Sequence, residues 1–273
     1  MNGPDAVPPA GEIITVAIPR SGTNFLCECI ADFPGVLGLF EIFNARGVFG
    51  AKNSGLLDAL NRELGTNYRD VSAPELVELF RSQPLVAVEH LRRATARRGF
   101  SFVSYKVFPG QIDDDELSEL LSNRSCRVLV LTRRRLDVYI SYVKARELDV
   151  WKSASTADLL PEIDVSDFLR WCKRSDAWYE DAKALLDKHG TPYAILRYED
   201  DVSLPKEHVV ELVGRTLTDL GIDVGPPPDK PVRFRRQDKR VGPFKKIANG
   251  EELRAQLRER KKYNYALARP LDD

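Results

Sequence analysis

Short, nearly continuous apolar runs alternate along the chain with longer stretches in which apolar residues recur every three or four positions. Residues 13–18 (IITVAI) form the first run and predict a buried strand. After Pro19-Arg20-Ser21-Gly22-Thr23, the apolar residues Phe25, Leu26, Cys29, Ile30 and Phe33 fall at helical spacing. Residues 35–43 are apolar apart from Glu41 and predict a short second strand and the loop beyond it. Helices are predicted over 54–64, from the Ser72/Glu75 capping-box spacing ahead of Leu76, and over 85–98 with Gly99 as the stop. Alternation over 100–108 predicts a strand, closed by Pro109-Gly110, and 113–121 reads as a helix with acids in its first turn. A buried strand over 127–131, a turn over 132–135 and a helix over 136–148 follow. The remaining elements are a long helix over 168–188 ended by Gly190, a strand over 193–196, an acidic turn over 199–201 and a helix over 206–220. Beyond Gly225-Pro226-Pro227-Pro228 lie a basic loop and a final helix over 251–262. Strands alternating with helices predict a mostly parallel sheet with helices on both faces, a three-layer α/β/α domain over 12–273 behind a disordered, proline-rich lead-in over 1–11. The chain shows no internal repeat.

The segment from Glu12 to Phe33 is where chemistry enters. A strand, a turn of small residues and a helix place backbone N–H groups and a helix N-terminus toward an anion. Arg20, Ser21 and Thr23 add a cation and two hydroxyls at that point. The Gly-Lys pair of a Walker A loop is missing, because Gly22 is followed by Thr23-Asn24. Ligands of such sheets sit at the carboxyl ends of the strands. Four groups are expected there: 20–23, Glu41, Lys106 and 133–135. Three are cationic and one is a carboxylate, a set suited to a multiply charged anion with a base beside it. Arg133 leaves its strand where a P-loop NTPase usually carries an acidic metal ligand, and Ser141 follows eight positions later on the next helix.

Composition narrows the classes. Lys+Arg and Asp+Glu both number 41, so no basic surplus favours a nucleic-acid partner. Basic residues cluster instead at 92–98, 133–135 and 233–246, the first cluster reading as a solvated helix face. Cys27, Cys29, Cys126 and Cys172 lack metal-ligand spacing and are expected as buried thiols in a reducing, cytoplasmic setting. No apolar run reaches membrane-spanning length, and residues 1–12 lack the pattern of a signal peptide.

Together these residues resemble sulfotransferases that use 3′-phosphoadenosine-5′-phosphosulfate, most closely the bacterial branch that sulfates carbohydrate or glycolipid hydroxyls. Pro19-Arg20-Ser21-Gly22-Thr23-Asn24-Phe25-Leu26 is similar to the family's 5′-phosphosulfate loop. Arg133 and Ser141 keep the arginine-to-serine spacing of its 3′-phosphate site. Glu41, within LFEIFN, is similar to the base of the carbohydrate branch, and Tyr198-Glu199-Asp200 to a recurrent turn. Arg235-Arg236-Gln237 and 247–253 resemble the nucleotide-covering loop and the helix after it. The resemblance implies a P-loop-NTPase-like fold, the phosphosulfate as donor, adenosine 3′,5′-bisphosphate as product, and no metal. It departs from the family in having Arg20 for the lysine of the small-molecule branch, Arg134-Arg135 for an Asn-Pro, and Gln111 where many relatives place a histidine.

The resemblance implies that Glu41 takes the acceptor's proton, that Arg20 with Ser21 to Asn24 holds the 5′ end, and that Arg133, Ser141 and Arg235 or Arg236 hold the 3′-phosphate. His90 is the rival base, and pairing of Glu41 with Arg46 or Arg20 is the structural alternative. Phe43, Lys106 and Trp151 are expected at the acceptor, a carbohydrate, glycolipid or small molecule. The competing functions are a kinase-like phosphoryl transferase and a non-catalytic module that binds the bisphosphate; the reading leaves room for a homo-oligomer.

Overall fold

The computed structural model of the chain describes residues 8–52, 55–148, 159–226 and 242–272. Among them, β1 (Gly11–Val16), β2 (Val36–Glu41), β3 (Phe102–Val107), β4 (Cys126–Thr132) and β5 (Tyr193–Arg197) form one sheet in the order β2-β3-β1-β4-β5. Every pairing is parallel, with Ile14 opposite both Tyr105 and Val128 and with Leu131 opposite Leu196. A parallel sheet needs both faces covered, and the strands carry the apolar runs that this demands.

One face of the sheet packs against α1 (Thr23–Ile30) and α8 (Lys206–Asp219). Ile13, Leu129 and Leu131 meet Leu26, Ile30, Val209 and Val213 there. The other face carries α2 (Leu56–Leu64), α3 (Pro74–Ser82), α4 (Pro84–Arg97), α5 (Asp114–Leu121) and α7 (Val165–His189). Ile14, Val16 and Val128 are buried there with Leu60, Phe80, Leu91, Leu117 and Leu186. Each such side chain contributes about 1.5–3 kcal/mol through burial. A third cluster joins α6 (Arg135–Leu148) and α7 to α9 (Gly250–Glu259) and α10 (Tyr263–Leu267), through Leu136, Ile140, Phe168, Leu253, Leu257 and Ala266. The connection out of β1 thus crosses to one face, while those out of β2, β3 and β4 cross to the other. That divergence opens a crevice at the carboxyl end of β1.

Several local expectations change. The capping box at Ser72 does not form: Pro74 opens α3 behind Ala73, and the Ser72 hydroxyl donates to Asp70 at 2.6 Å. The reciprocal box forms instead at α5, between Asp113 and Glu116. Arg92 does not sit on a solvated face. Its Nε donates to the Ala10 carbonyl at 2.7 Å and lies 3.5 Å from the buried Glu12 carboxylate, while Arg93 and Arg97 remain exposed. Ala10 is itself buried and Gly11 opens β1, so the fold begins before residue 12. The acidic stretch after β5 is one wide helical turn, Tyr198–Val202.

Candidate active site at the carboxyl edge of the sheet

Read across the sheet from β2 to β5, the carboxyl edge presents Glu41, Lys106, the loop after β1, Arg133 and Tyr198. The loop after β1 is bent sharply. Arg20 has φ 75°, a left-handed conformation for a residue with a side chain, and Gly22 follows with φ 96° and ψ 11°. Holding a non-glycine residue there costs roughly 1–2 kcal/mol, and such geometry recurs where backbone amides are turned toward an anion. Gly22 is required twice over. Its φ is positive, and a Cβ would fall 2.3 Å from the Tyr198 ring. Ser21 is buried, and its hydroxyl lacks a well-formed hydrogen bond within the protein.

A buried tyrosine on α7 holds the two central strand ends together. The Tyr179 hydroxyl accepts from the Ile18 amide at 3.1 Å and donates to the Leu131 carbonyl at 2.8 Å. Burial pushes the phenol well above its ordinary range, so the group stays protonated and keeps its donor. Leaving those backbone groups unpaired in the core would cost about 1–3 kcal/mol each.

The β1 loop and the start of α6 meet directly. Arg20 Nε donates to Ser141 Oγ at 3.0 Å, and Arg133 Nη1 donates to the Arg20 carbonyl at 2.9 Å. The Arg133 guanidinium lies over the Tyr198 ring, 4.2 Å from its centre, and its buried Nε has no hydrogen-bond partner. Burial, and then the neighbouring Arg133 charge, lower the proton affinity of Arg20. Two guanidinium groups held this close repel one another, a cost that an anion between them removes. The other arginines of the turn do different work. Arg135 is buried, with its Nε–H shared between the two carboxylate oxygens of Asp176 at 2.9 and 3.1 Å, and Arg134 is exposed. Asp137 pairs with Lys246 at 2.7 Å.

At the other end of the edge, Glu41 pairs with Lys106 at 3.3 Å and with neither Arg46 nor Arg20. The buried Lys106 ammonium also donates to Asn24 Oδ1 at 2.6 Å and to Thr23 Oγ1 at 3.2 Å. It therefore ties the carboxylate on β2 to the first turn of α1. Asn44 Nδ2 donates to Glu41 Oε2 at 2.7 Å, and Gln111 Nε2 reaches the same oxygen at 3.5 Å. Asn44 and Gln111 also line a 620 Å³ groove with Phe43, Arg46, Arg81 and residues 110–113. Phe43 is 2% exposed and packed against Phe80 and Tyr105, so it is a core residue that leaves almost no surface for an acceptor.

Of the residues expected at the site, Arg20 to Asn24, Glu41, Lys106, Arg133 and Ser141 lie along this one edge. Trp151, Arg235 and Arg236 lie outside the described residues. His90 sits in the middle of α4, and no hydrogen bond joins it to Glu41, Lys106 or Arg20. Tyr179 and Asn44 support the site without entering the sequence reading, and Tyr198 enters it only as part of a recurrent turn. Tyr179 falls on an ordinary apolar helix stripe, and its reach across the sheet has no sequence signature. Asn44, within LFEIFN, carries a signal of its own, being a polar residue three positions after the lone carboxylate.

No protein-family model matches the chain, and no curated protein is significantly similar to it. Among the described residues, no helix is long and apolar enough to cross a membrane, and no group of three or more His, Cys, Asp or Glu is placed to hold a metal ion.

Proposed function

We propose that the protein is a sulfotransferase of P-loop-like fold that moves a sulfuryl group from 3′-phosphoadenosine-5′-phosphosulfate to a hydroxyl group. The observation that carries this reading is the junction of Arg20, Arg133 and Ser141. The 3′- and 5′-phosphates of one ribose are close neighbours, so their binding groups must be too. Arg20 touches Ser141, and Arg133 touches the Arg20 backbone. The orphaned Arg133 Nε, the buried Ser21 hydroxyl and the left-handed turns at Arg20 and Gly22 suit such a doubly charged ligand.

The donor supplies an activated sulfuryl group whose transfer releases adenosine 3′,5′-bisphosphate. Glu41 takes the proton of the attacking hydroxyl, and the carboxylate is aimed by Asn44 and held by Lys106. Arg20 and the amides of Ser21 to Thr23 stabilise charge on the leaving oxygens. Arg20 stays protonated throughout and acts by charge, not as an acid. Lys106, shared between Glu41 and the first turn of α1, keeps base and loop in register. Arg133, fixed in plane by Tyr198, and Ser141 anchor the 3′-phosphate.

Calorimetry with adenosine 3′,5′-bisphosphate against ADP tests the reading. The bisphosphate is expected to bind at least about tenfold more tightly, about 1.4 kcal/mol. Equal affinity, or a preference for ADP, would remove it in favour of phosphoryl transfer. Tight binding of the bisphosphate with no transfer to any acceptor would leave a nucleotide-binding module.

A further inference from the structure

The groove beside Glu41 carries charge that the protein itself leaves unspent. Arg46, on the loop after β2, and Arg81, in the last turn of α3, both line it and are both exposed. Among the described residues neither has a carboxylate within 4.0 Å, whereas Lys106, Arg135 and Lys246 each have one. The acids of the groove, Asp113 and Glu116, sit at the start of α5. Asp113 Oδ1 accepts from the Glu116 amide at 2.8 Å, Glu116 Oε2 accepts from the Asp113 amide at 3.5 Å, and both charges lie against the positive end of α5. The groove thus presents two guanidinium groups with no carboxylate partner among the described residues, while one oxygen of each of its two carboxylates is taken up in capping a helix.

Asn44 and Gln111 join this groove to the proposed base, since each lines it and each bonds Glu41 Oε2. Asn44 Oδ1 also accepts from the Arg46 amide at 2.9 Å, so the turn that presents Arg46 is built on the same side chain that aims Glu41. Taking Glu41 as the base of the sulfuryl transfer, we infer that the acceptor bears an anionic group of its own, a carboxylate or phosphate, held by Arg46 and Arg81 while its hydroxyl faces Glu41. Guanidinium groups suit such anions because their N–H donors match the oxygens in pairs. The anion also supplies register. An acceptor anchored at one end by charge brings one hydroxyl to the carboxylate and holds it there.

The test is calorimetry of the full chain, with and without adenosine 3′,5′-bisphosphate, against glucose, glucuronate and glucose 6-phosphate. At least one of the two charged sugars is expected to bind about tenfold or more tightly than glucose, and the stronger of the two identifies the preferred anion. Arg46→Gln and Arg81→Gln are each expected to reduce that preference, and together to abolish it, with the affinity for the bisphosphate unchanged. Both side chains are exposed, so the substitutions leave the core intact. No binding of any of the three sugars, equal binding of all three, or a preference that survives both substitutions overturns the inference. A charged sugar that binds through Arg46 and Arg81 in a protein that ignores the bisphosphate keeps the anion groove and removes the sulfotransferase reading.

Discussion

Arg20 donates from Nε to the hydroxyl of Ser141 at 3.0 Å, although the two residues lie 121 positions apart. One belongs to the turn after β1 and the other to α6, so this single bond joins two crossovers at the mouth of the sheet. Arg133 completes the junction from the end of β4. Arg133→Ala is expected to weaken adenosine 3′,5′-bisphosphate by at least about tenfold, near 1.4 kcal/mol. Arg133→Lys is expected to restore little, because an ammonium lacks the planar fork that both stacks on Tyr198 and reaches the Arg20 carbonyl. Ser141→Ala should cost less, a few-fold. Calorimetry reads all three, and an unchanged affinity in Arg133→Ala would contradict the assignment.

Gly22 and Tyr198 form the second junction, between the β1 loop and the turn after β5. Gly22→Ala is expected to destabilise the fold by about 1–2 kcal/mol from its positive φ alone, with a further loss from displacing the ring 2.3 Å from the new methyl. Gly22→Ala combined with Tyr198→Ala should recover the steric part only. Chemical denaturation of the four proteins of that cycle measures the coupling. A coupling of zero would mean that the ring moves aside freely.

Glu41→Gln is expected to abolish sulfuryl transfer and to leave bisphosphate affinity close to that of the unaltered protein, since the amide keeps the shape and loses the base. His90→Gln should retain turnover, because His90 has no hydrogen bond to the site. Rates and affinities measured side by side decide between them. Transfer retained by Glu41→Gln and lost by His90→Gln would reverse the assignment of the base.

Glu12 gives a pH dependence of unusual sign. It is fully buried, and burial raises its pKa above the ordinary 4.5, opposed by the hydroxyl of Tyr105, the Arg92 charge and Asn123. Above pH 4.5 the unfolded chain loses this proton while the folded chain keeps it. Stability from Glu12 is therefore full below pH 4.5 and is lost as the pH rises through the folded pKa. Glu12→Gln keeps a neutral group in place and removes that slope. The stability of Glu12→Gln relative to the unaltered protein should rise with pH from 4.5 upward, and denaturation at several pH values checks it. A difference that is flat, or that falls with pH, would show that Arg92 compensates the buried charge fully.

The elements were readable because strand and helix periods are local. The apolar run over 13–18 and the alternation over 100–108 emerge as β1 and β3, shifted by a residue or two at their ends. The acids expected in the first turn of α5 are there, and a capping box not read from the sequence forms between Asp113 and Glu116, whereas the box expected at Ser72 goes unused because Asp70 takes the hydroxyl and Pro74 opens the helix. Arg92 was unreadable for a related reason. A basic helix stretch reads as solvated until another segment lays a carboxylate beside one of its members, as β1 does with Glu12.

What the sequence by itself determined is most of the elements, their alternation, and the residues gathered at the carboxyl ends of the strands, since each depends on spacing within a few neighbours; the short α10 after the final predicted helix is an addition. The order β2-β3-β1-β4-β5, the bond from Arg20 to Ser141, the partner of Glu41 and the brace from Tyr179 were decided only by the tertiary structure. Those are contacts between segments far apart in the chain, and they exist only once both faces of the sheet are buried and the strand ends are brought into line.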